Sequence, residues 1–236
     1  MCAEMSERYA TNGSVLVAVL LTQARLTGLS GDLQGARAAL ADAKDHLNEL
    51  HLDIADAVVL AVTALVDSLA GEHRTAEMSY RNCQGMLLEM GRPRDAATYE
   101  AYAARELFNQ GKVHETGAAL GMLSAKTDLM DLRTKIMVEV LGTRVAAASG
   151  LAAHVVDLAI STAKLSEQMD DLCLQGDCYA DLAIVAAQAG QQAQAAQAAA
   201  AALDRYLAKG ATRLAVRAQR LLAVLGDSQA PQRSRH

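Results

Sequence analysis

The segment Ala64–Ala76, with the sequence ALVDSLAGEHRTA, carries the pattern that decides the fold. Gly71 separates two stretches that read as helices, and an alanine stands seven residues before it and five residues after it. Equivalent glycines recur along the chain at intervals of 40, 40, 39 and 40 residues. They are Gly31, Gly71, Gly111, Gly150 and Gly190. A fixed period in this range is typical of stacked helical repeats, in which no unit is large enough to bury its own apolar face.

Small side chains accompany each of these glycines. The residues seven before the glycine are Ala24, Ala64, Ala104, Thr143 and Ala183. The residues five after it are Ala36, Ala76, Thr116, Val155 and Ala195. Small residues at both points let the two helices of a pair approach closely.

The composition favours an all-helical chain. Aromatic residues make up only 3% of the 236 residues, alanine is abundant, and there are two prolines, Pro93 and Pro231. Alanine is the best helix former, whereas a proline inside a helix costs about 3 kcal/mol. We predict first helices over 14–29, 53–70, 94–110, 129–149 and 171–189. We predict second helices over 32–50, 73–90, 113–126, 151–168 and 192–208, and a last helix over 211–225.

On these residues the chain resembles a tetratricopeptide (TPR) array over roughly residues 14–208. That family places small residues at three repeat positions and a glycine at the turn, with a usual period of 34 residues. HEAT-like repeats, with periods of about 40–47 residues, are the structural alternative. The resemblance implies an all-α, right-handed α-solenoid of about five helix pairs with a C-terminal capping helix. The expected organisation is an N-terminal arm over 1–13, a repeat domain over 14–226 and a disordered basic tail over 227–236.

A narrower resemblance involves the segment Ala202–Gly226, ALDRYLAKGATRLAVRAQRLLAVLG. It is similar to the end of the C-terminal helical regions of bacterial signalling ATPases and LuxR-type regulators. This implies an alternative function, a sensor module of a transcriptional or signalling regulator that responds to a ligand or peptide.

The TPR resemblance also implies a binding groove lined by the first helix of each pair. One groove position is occupied by Arg25, Leu65, Arg105, Arg144 and Ile184. Neighbouring positions include Leu21, Phe108, Asn109 and Met137. Arginine suits bidentate binding of carboxylates, so we expect a protein or peptide partner, with an acidic one favoured. The alternative is that the arginines pair with Glu100, Glu106 or Glu139 and stabilise the array.

The sequence favours a non-catalytic role without cofactor or metal. His114-Glu115 begins like a zinc-protease HExxH motif, but Ala118 stands where the second histidine is needed. No GxxxxGK[ST] phosphate loop and no GxSxG nucleophile motif is present. The net charge of −5 offers no basic footprint for nucleic acid.

The N-terminal region contains a short apolar run, Val15–Leu21, which we interpret as a buried helix start. It is too short to cross a membrane, and its flanks do not fit a secretory signal. We therefore expect a cytoplasmic protein with no membrane association. The N-terminal edge is either a homodimer interface or the place where a preceding domain packs.

Overall fold

The computed structural model describes residues 2–48 and 53–227, and this part of the chain is helical with no β-strand. The predicted all-α class is therefore confirmed for these residues. The α-helices are α1 (Cys2–Ser30), α2 (Leu33–Asn48), α3 (Asp53–Ala70), α4 (His73–Glu89), α5 (Pro93–Asn109), α6 (Val113–Ser124), α7 (Leu132–Ala146), α8 (Ala152–Ser166), α9 (Leu172–Gln188), α10 (Gln192–Lys209) and α11 (Thr212–Asp227). A 3-10 turn spans Thr127–Leu129, and a π-helical turn spans Ala147–Leu151.

The helix boundaries follow the predicted ones closely, except at the N-terminus. Helix α1 begins at Cys2, so residues 2–13 continue the first helix instead of forming a separate arm. The run Val15–Leu21 accordingly lies within α1, and interpreting it as a buried helix start was wrong. Val17 and Leu21 are buried, but Val15 and Val19 are exposed, because only one side of the helix packs against the unit. Residues 228–236 of the predicted tail lie outside the described residues.

The chain divides into two compact units, Met1–Met130 and Asp131–His236. In the first, which we call unit 1, α1 packs against α2 and α3, α3 against α4, α4 against α5, and α5 against α6. In the second, unit 2, α7 packs against α8 and α9, α8 against α9, α9 against α10, and α10 against α11. Each helix therefore packs mainly on its neighbours in the sequence, as short connections between helices require.

The glycines of the repeat all end helices in a backbone conformation that other residues rarely adopt. The φ angles of Gly31, Gly71, Gly111, Gly150 and Gly190 lie between 79° and 107°. Gly91 and Gly210 also have positive φ angles, 69° and 73°, as we expect of residues that follow a helix. After the first turn, Asp32 Oδ1 accepts a hydrogen bond of 2.8 Å from the backbone N–H of Gly35 and caps α2.

The small residues flanking these glycines lie in the core. Ala24, Ala64 and Ala183, each seven residues before a glycine, are fully buried. Ala36 and Ala76, each five residues after one, are fully buried as well. A larger side chain at these points would separate the paired helices, because protein interiors are already close-packed.

Two stretches of the described residues, Gly13–Ser30 and Leu132–Ser166, are long and apolar enough to cross a membrane by length and composition. The second is interrupted at Gly150, so it consists of two α-helices of 15 residues each, joined by the five-residue π-helical turn Ala147–Leu151. A bilayer needs about 20 residues of continuous helix. Core helices of soluble proteins pass the same test, and neither stretch establishes a location.

Candidate functional site

The first helices of unit 1 are α1, α3 and α5, and they carry Arg25, Leu65 and Arg105 six residues before their respective glycines. Arg25 is exposed, and Leu65 and Arg105 are half-buried. Arg25 makes no ion pair with any other residue that the structure describes.

The positive charge of Arg25 acts on the pKa of a tyrosine on α5. Burial raises the pKa of Tyr99 to about 12, and the positive charge of Arg25 acts in the opposite direction, lowering this pKa. Helix α3 packs against α1, and Ser68 on α3 donates a hydrogen bond to Glu106 on α5, so α3 is the neighbour of both other first helices in unit 1. We call the surface of these three helices that carries the arginines the α1–α3–α5 face. It comprises Arg25, Leu65, Tyr99, Arg105, Phe108 and Asn109.

The carboxyl-terminal end of α5 adds one apolar and one polar group. Phe108 is half-buried, and Asn109 is exposed. Asn109 Nδ2 donates a long hydrogen bond of 3.4 Å to Glu106 Oε2. The face therefore combines guanidinium groups, apolar side chains and an amide, which is the mixture that a binding surface for a peptide uses.

Two residues that we expected in the groove belong to the core instead. Leu21 is 6% exposed and packs in the core of unit 1 with Ala24 and Leu40. Met137, in α7 of unit 2, is 3% exposed. The expectation that they line a groove was wrong, because packing inside their own units removes both side chains from solvent.

Arg144 is held within unit 2. Its Nη1 atom lies 2.6 Å from Asp181 Oδ1, and the two side chains are 18% and 6% exposed. Arg144 is thus held by an internal ion pair, but the expected pairing with Glu100, Glu106 or Glu139 was wrong for this arginine, because its partner is Asp181. The three glutamates that we considered have other contacts. Glu100 pairs with Lys126, Glu139 accepts from Thr162, and Glu106 accepts from Ser68 and Asn109.

Glu106 is the centre of a buried polar cluster below the α1–α3–α5 face. Its carboxylate is 3% exposed. Ser68 Oγ on α3 donates to Oε1 at 2.7 Å, and His73 Nδ1 on α4 lies 2.7 Å from Oε2. The carboxylate therefore joins three helices, and its two oxygens are occupied by groups of its own unit.

This cluster contains the three groups of a nucleophilic triad, a hydroxyl, an imidazole and a carboxylate, but they are hydrogen-bonded in a different order. In a triad the histidine stands between the hydroxyl and the carboxylate and removes the hydroxyl proton. Here the carboxylate stands between the other two, and Ser68 donates to Glu106. Because the histidine does not contact the Ser68 hydroxyl in this arrangement, it cannot remove its proton. The hydrogen bonds instead hold α3, α4 and α5 together.

Sequence reasoning missed the roles of Tyr99 and Glu106. Glu106 stands five residues before its glycine, where Leu26 and Val66 stand in the first two pairs. A single carboxylate at an otherwise apolar repeat position is a signal that could have indicated a buried polar cluster. Tyr99 stands where Val59 stands in the preceding pair, so its position indicated core packing alone.

Among the residues with described side chains, no group of three or more histidine, cysteine, aspartate or glutamate residues could hold a metal ion. No protein-family model matches the chain, and no curated protein is significantly similar to it.

Proposed function

We propose that the chain is a non-catalytic helical-repeat scaffold that binds an acidic protein or peptide on the α1–α3–α5 face. In this proposal the five helix pairs form a right-handed TPR-like solenoid, and the partner carries carboxylates next to apolar side chains. The observation that carries the proposal is the exposed Arg25, at the repeat position that Leu65 and the half-buried Arg105 occupy on α3 and α5.

The repeat interpretation is supported by contacts that recur between successive pairs of unit 1. Arg37 Nη2 lies 2.8 Å from Glu72 Oε1, and Glu77 Oε2 lies 3.9 Å from Lys112 Nζ. In both pairs the two residues are 35 positions apart in the sequence. The first residue stands six positions after one repeat glycine, and the second stands one position after the next repeat glycine. The charges are exchanged, but the repeat positions in contact are the same. Such conservation of position between pairs is what a stacked repeat requires.

The partner's chemistry follows from the side chains of the face. Arg25 supplies an exposed guanidinium that can form two parallel hydrogen bonds with a carboxylate, and Arg105 adds a second positive charge on α5. Leu65 on α3 and Phe108 on α5 are half-buried and add apolar surface to the face. A short peptide with acidic residues flanking a leucine or phenylalanine matches this arrangement.

The proposal is tested with a library of displayed peptides selected against the full chain. We expect the selected sequences to be enriched in aspartate and glutamate beside a large apolar residue. For a selected peptide, the double substitution Arg25→Ala and Arg105→Ala is expected to weaken binding at least about tenfold, since each charge-assisted hydrogen bond contributes about 1.5–3 kcal/mol. Affinity is measured by fluorescence anisotropy at two salt concentrations.

The matched control is Arg74→Ala, which removes an exposed arginine from α4, outside the face. It is expected to leave the affinity unchanged. Equal losses in the control and the double variant would indicate a general charge effect and refute a site at this face. The alternative sensor function predicts a different result, namely that a small molecule raises the melting temperature saturably while no acidic peptide is selected.

A further inference from the structure

Helix α11 carries three arginines on the side that faces away from the core of unit 2. Arg213, Arg217 and Arg220 follow one another at intervals of four and three residues, so they lie along one side of the helix. We call these three residues the α11 arginine row. The buried residues of the opposite side are Ala215, Ala218 and Leu225.

The two later arginines of the row are open to solvent. Arg217 and Arg220 are exposed, and Arg213 is half-buried. Neither Arg217 nor Arg220 makes an ion pair with any other residue of the described part of the chain. Their charges are therefore not neutralised within unit 2.

Two exposed valines accompany the arginines. Val216 is 40% exposed and stands four residues before Arg220, and Val224 is 65% exposed and stands four residues after it. The acidic residue of α11 is Asp227, its last residue, so the helix has a net charge of +2. This side therefore combines positive charge with branched apolar side chains.

The charge of the whole chain is divided unevenly along the sequence. Residues 209–236 contain six of the 22 lysines and arginines but only one of the 27 aspartates and glutamates. This segment has a formal charge of +5, whereas the other 208 residues together have −10. An anionic surface attracts the segment and repels the remainder, so the segment with α11 is the part that approaches such a surface.

We infer that the α11 arginine row docks on a membrane surface that contains anionic lipids. The guanidinium groups bind lipid phosphates, and Val216 and Val224 enter the boundary between headgroups and acyl chains. The arginines are spread along the helix, so α11 lies in the plane of the surface. We expected no membrane association because the run Val15–Leu21 is too short to span a bilayer, but a basic helix that lies on the surface needs no spanning segment.

Nucleic acid fits this side of α11 less well than lipid does. Sequence is read by polar side chains at base edges, and single strands are bound by stacking on aromatic rings. The exposed row offers arginines and valines instead. Valine gains nothing from a phosphate backbone in water, whereas it gains from insertion below lipid headgroups.

A folded protein partner also fits less well, because the contact is small. The 16 residues of α11 span about 24 Å, and a helix is about 10 Å wide, so one side supplies roughly 240 Å². Stable protein complexes bury about 1,200 Å² or more in total. A membrane needs no matching surface of this size, because separate headgroups bind the separate charges.

The number of arginines sets the expected strength. Each basic residue close to an anionic membrane strengthens binding about fivefold. The row therefore gives a preference of up to roughly 100-fold for anionic over neutral lipid. The Debye length falls from about 10 Å at 0.1 M salt to about 3 Å at 1 M, so binding should be weak, reversible and lost at high salt.

The test is co-sedimentation of the full chain with vesicles of phosphatidylcholine, alone or mixed with phosphatidylserine. We expect binding to the mixed vesicles at low salt and its loss at about 1 M salt. The double substitution Arg217→Gln and Arg220→Gln should weaken this binding at least about tenfold. The double substitution Arg217→Lys and Arg220→Lys keeps both charges and should retain most of the binding.

The matched control is the double substitution Arg74→Gln and Arg94→Gln, which removes two exposed arginines from α4 and α5 and changes the net charge equally. It should leave vesicle binding unchanged, and an equal loss would show a general charge effect and overturn the inference. A wild-type chain that stays in the supernatant with mixed vesicles at low salt also overturns it. Tighter binding to a DNA duplex than to the vesicles, lost in the α11 glutamine variant, would assign the row to nucleic acid and equally overturn it.

Discussion

Gly176 in α9 lies directly against the ring of Tyr206 in α10. A Cβ atom built on Gly176 would come within 2.5 Å of Tyr206 Cε1 and 2.8 Å of Cδ1 and Cζ. Tyr206 is 3% exposed, and its hydroxyl donates a hydrogen bond of 2.6 Å to Asp177 Oδ1. The glycine therefore makes the space in which the tyrosine is buried, and the hydrogen bond holds the ring against it.

The first prediction concerns this contact. Gly176→Ala should lower the free energy of unfolding by about 1–3 kcal/mol, the usual cost of overpacking a core. The matched control is Gly142→Ala in α7, where an added Cβ would meet nothing within 4 Å. Because alanine is the better helix former, this control should raise stability by up to about 1 kcal/mol. Urea unfolding measures both, and equal stabilisation by the two substitutions would contradict the prediction.

The second prediction concerns the buried carboxylate of Glu106. Glu106→Ala leaves the Ser68 hydroxyl and the His73 ring without this acceptor, so we expect a loss of about 1.5–3 kcal/mol, the range for hydrogen bonds to a charged group. Asp95→Ala is the control, since it breaks an ion pair with Arg92 in which both side chains are 48% exposed. Exposed pairs contribute less than about 1 kcal/mol. Denaturant unfolding that shows similar losses for both variants would indicate that burial of Glu106 is unimportant.

The third prediction separates the two arginines that the sequence treated alike. Arg144→Ala breaks the ion pair with the buried Asp181 and should cost about 3 kcal/mol, near the lower end for one partner of a buried pair. Arg25→Ala removes an exposed side chain and should change stability by less than about 0.5 kcal/mol. Thermal and urea unfolding of the two variants check this. Unchanged stability in Arg144→Ala would show that the pair with Asp181 is not formed in solution.

The fourth prediction concerns alkaline pH. Burial raises the pKa of the Cys83 thiol from 9.0 to about 12 and that of the Tyr99 hydroxyl from 10.0 to about 12. The unfolded chain releases both protons at the ordinary values, and the folded chain keeps them until near pH 12. This contribution to stability is therefore complete below pH 9 and is lost as the pH rises from 9 to 12.

Urea unfolding at pH 8 and at about pH 10.5 should show the decrease that this linkage requires. Lysines titrate in the same interval, so variants isolate the two groups. Cys83→Ala and Tyr99→Phe should each make the decline with pH shallower than in the wild type. A decline of the same slope in all three proteins would mean that neither group has a raised pKa.

Much of the local structure was predictable from the residues. The spacing of the glycines, the alanines beside them and the scarcity of proline predicted all eleven helices of the described residues, most within a few positions of their ends. These signals are local, because a glycine with positive φ ends a helix whatever lies around it. The candidate site was less predictable from the sequence. Two of the residues expected in the groove, Leu21 and Met137, are buried in the core. The expected residues that keep some exposure include Arg25, Leu65, Arg105, Phe108 and Asn109.

What the amino-acid sequence determined by itself was therefore the helices, their turns and the small residues where paired helices meet, since propensity and backbone sterics act within a few residues. Only the tertiary structure decided which side chains of equivalent repeat positions are buried. Arg25 and Arg144 stand at the same repeat position, yet the first is exposed and the second pairs with Asp181, 37 residues away. That difference depends on which residue the neighbouring helix places opposite each arginine, and the repeat period alone carries no information about charge.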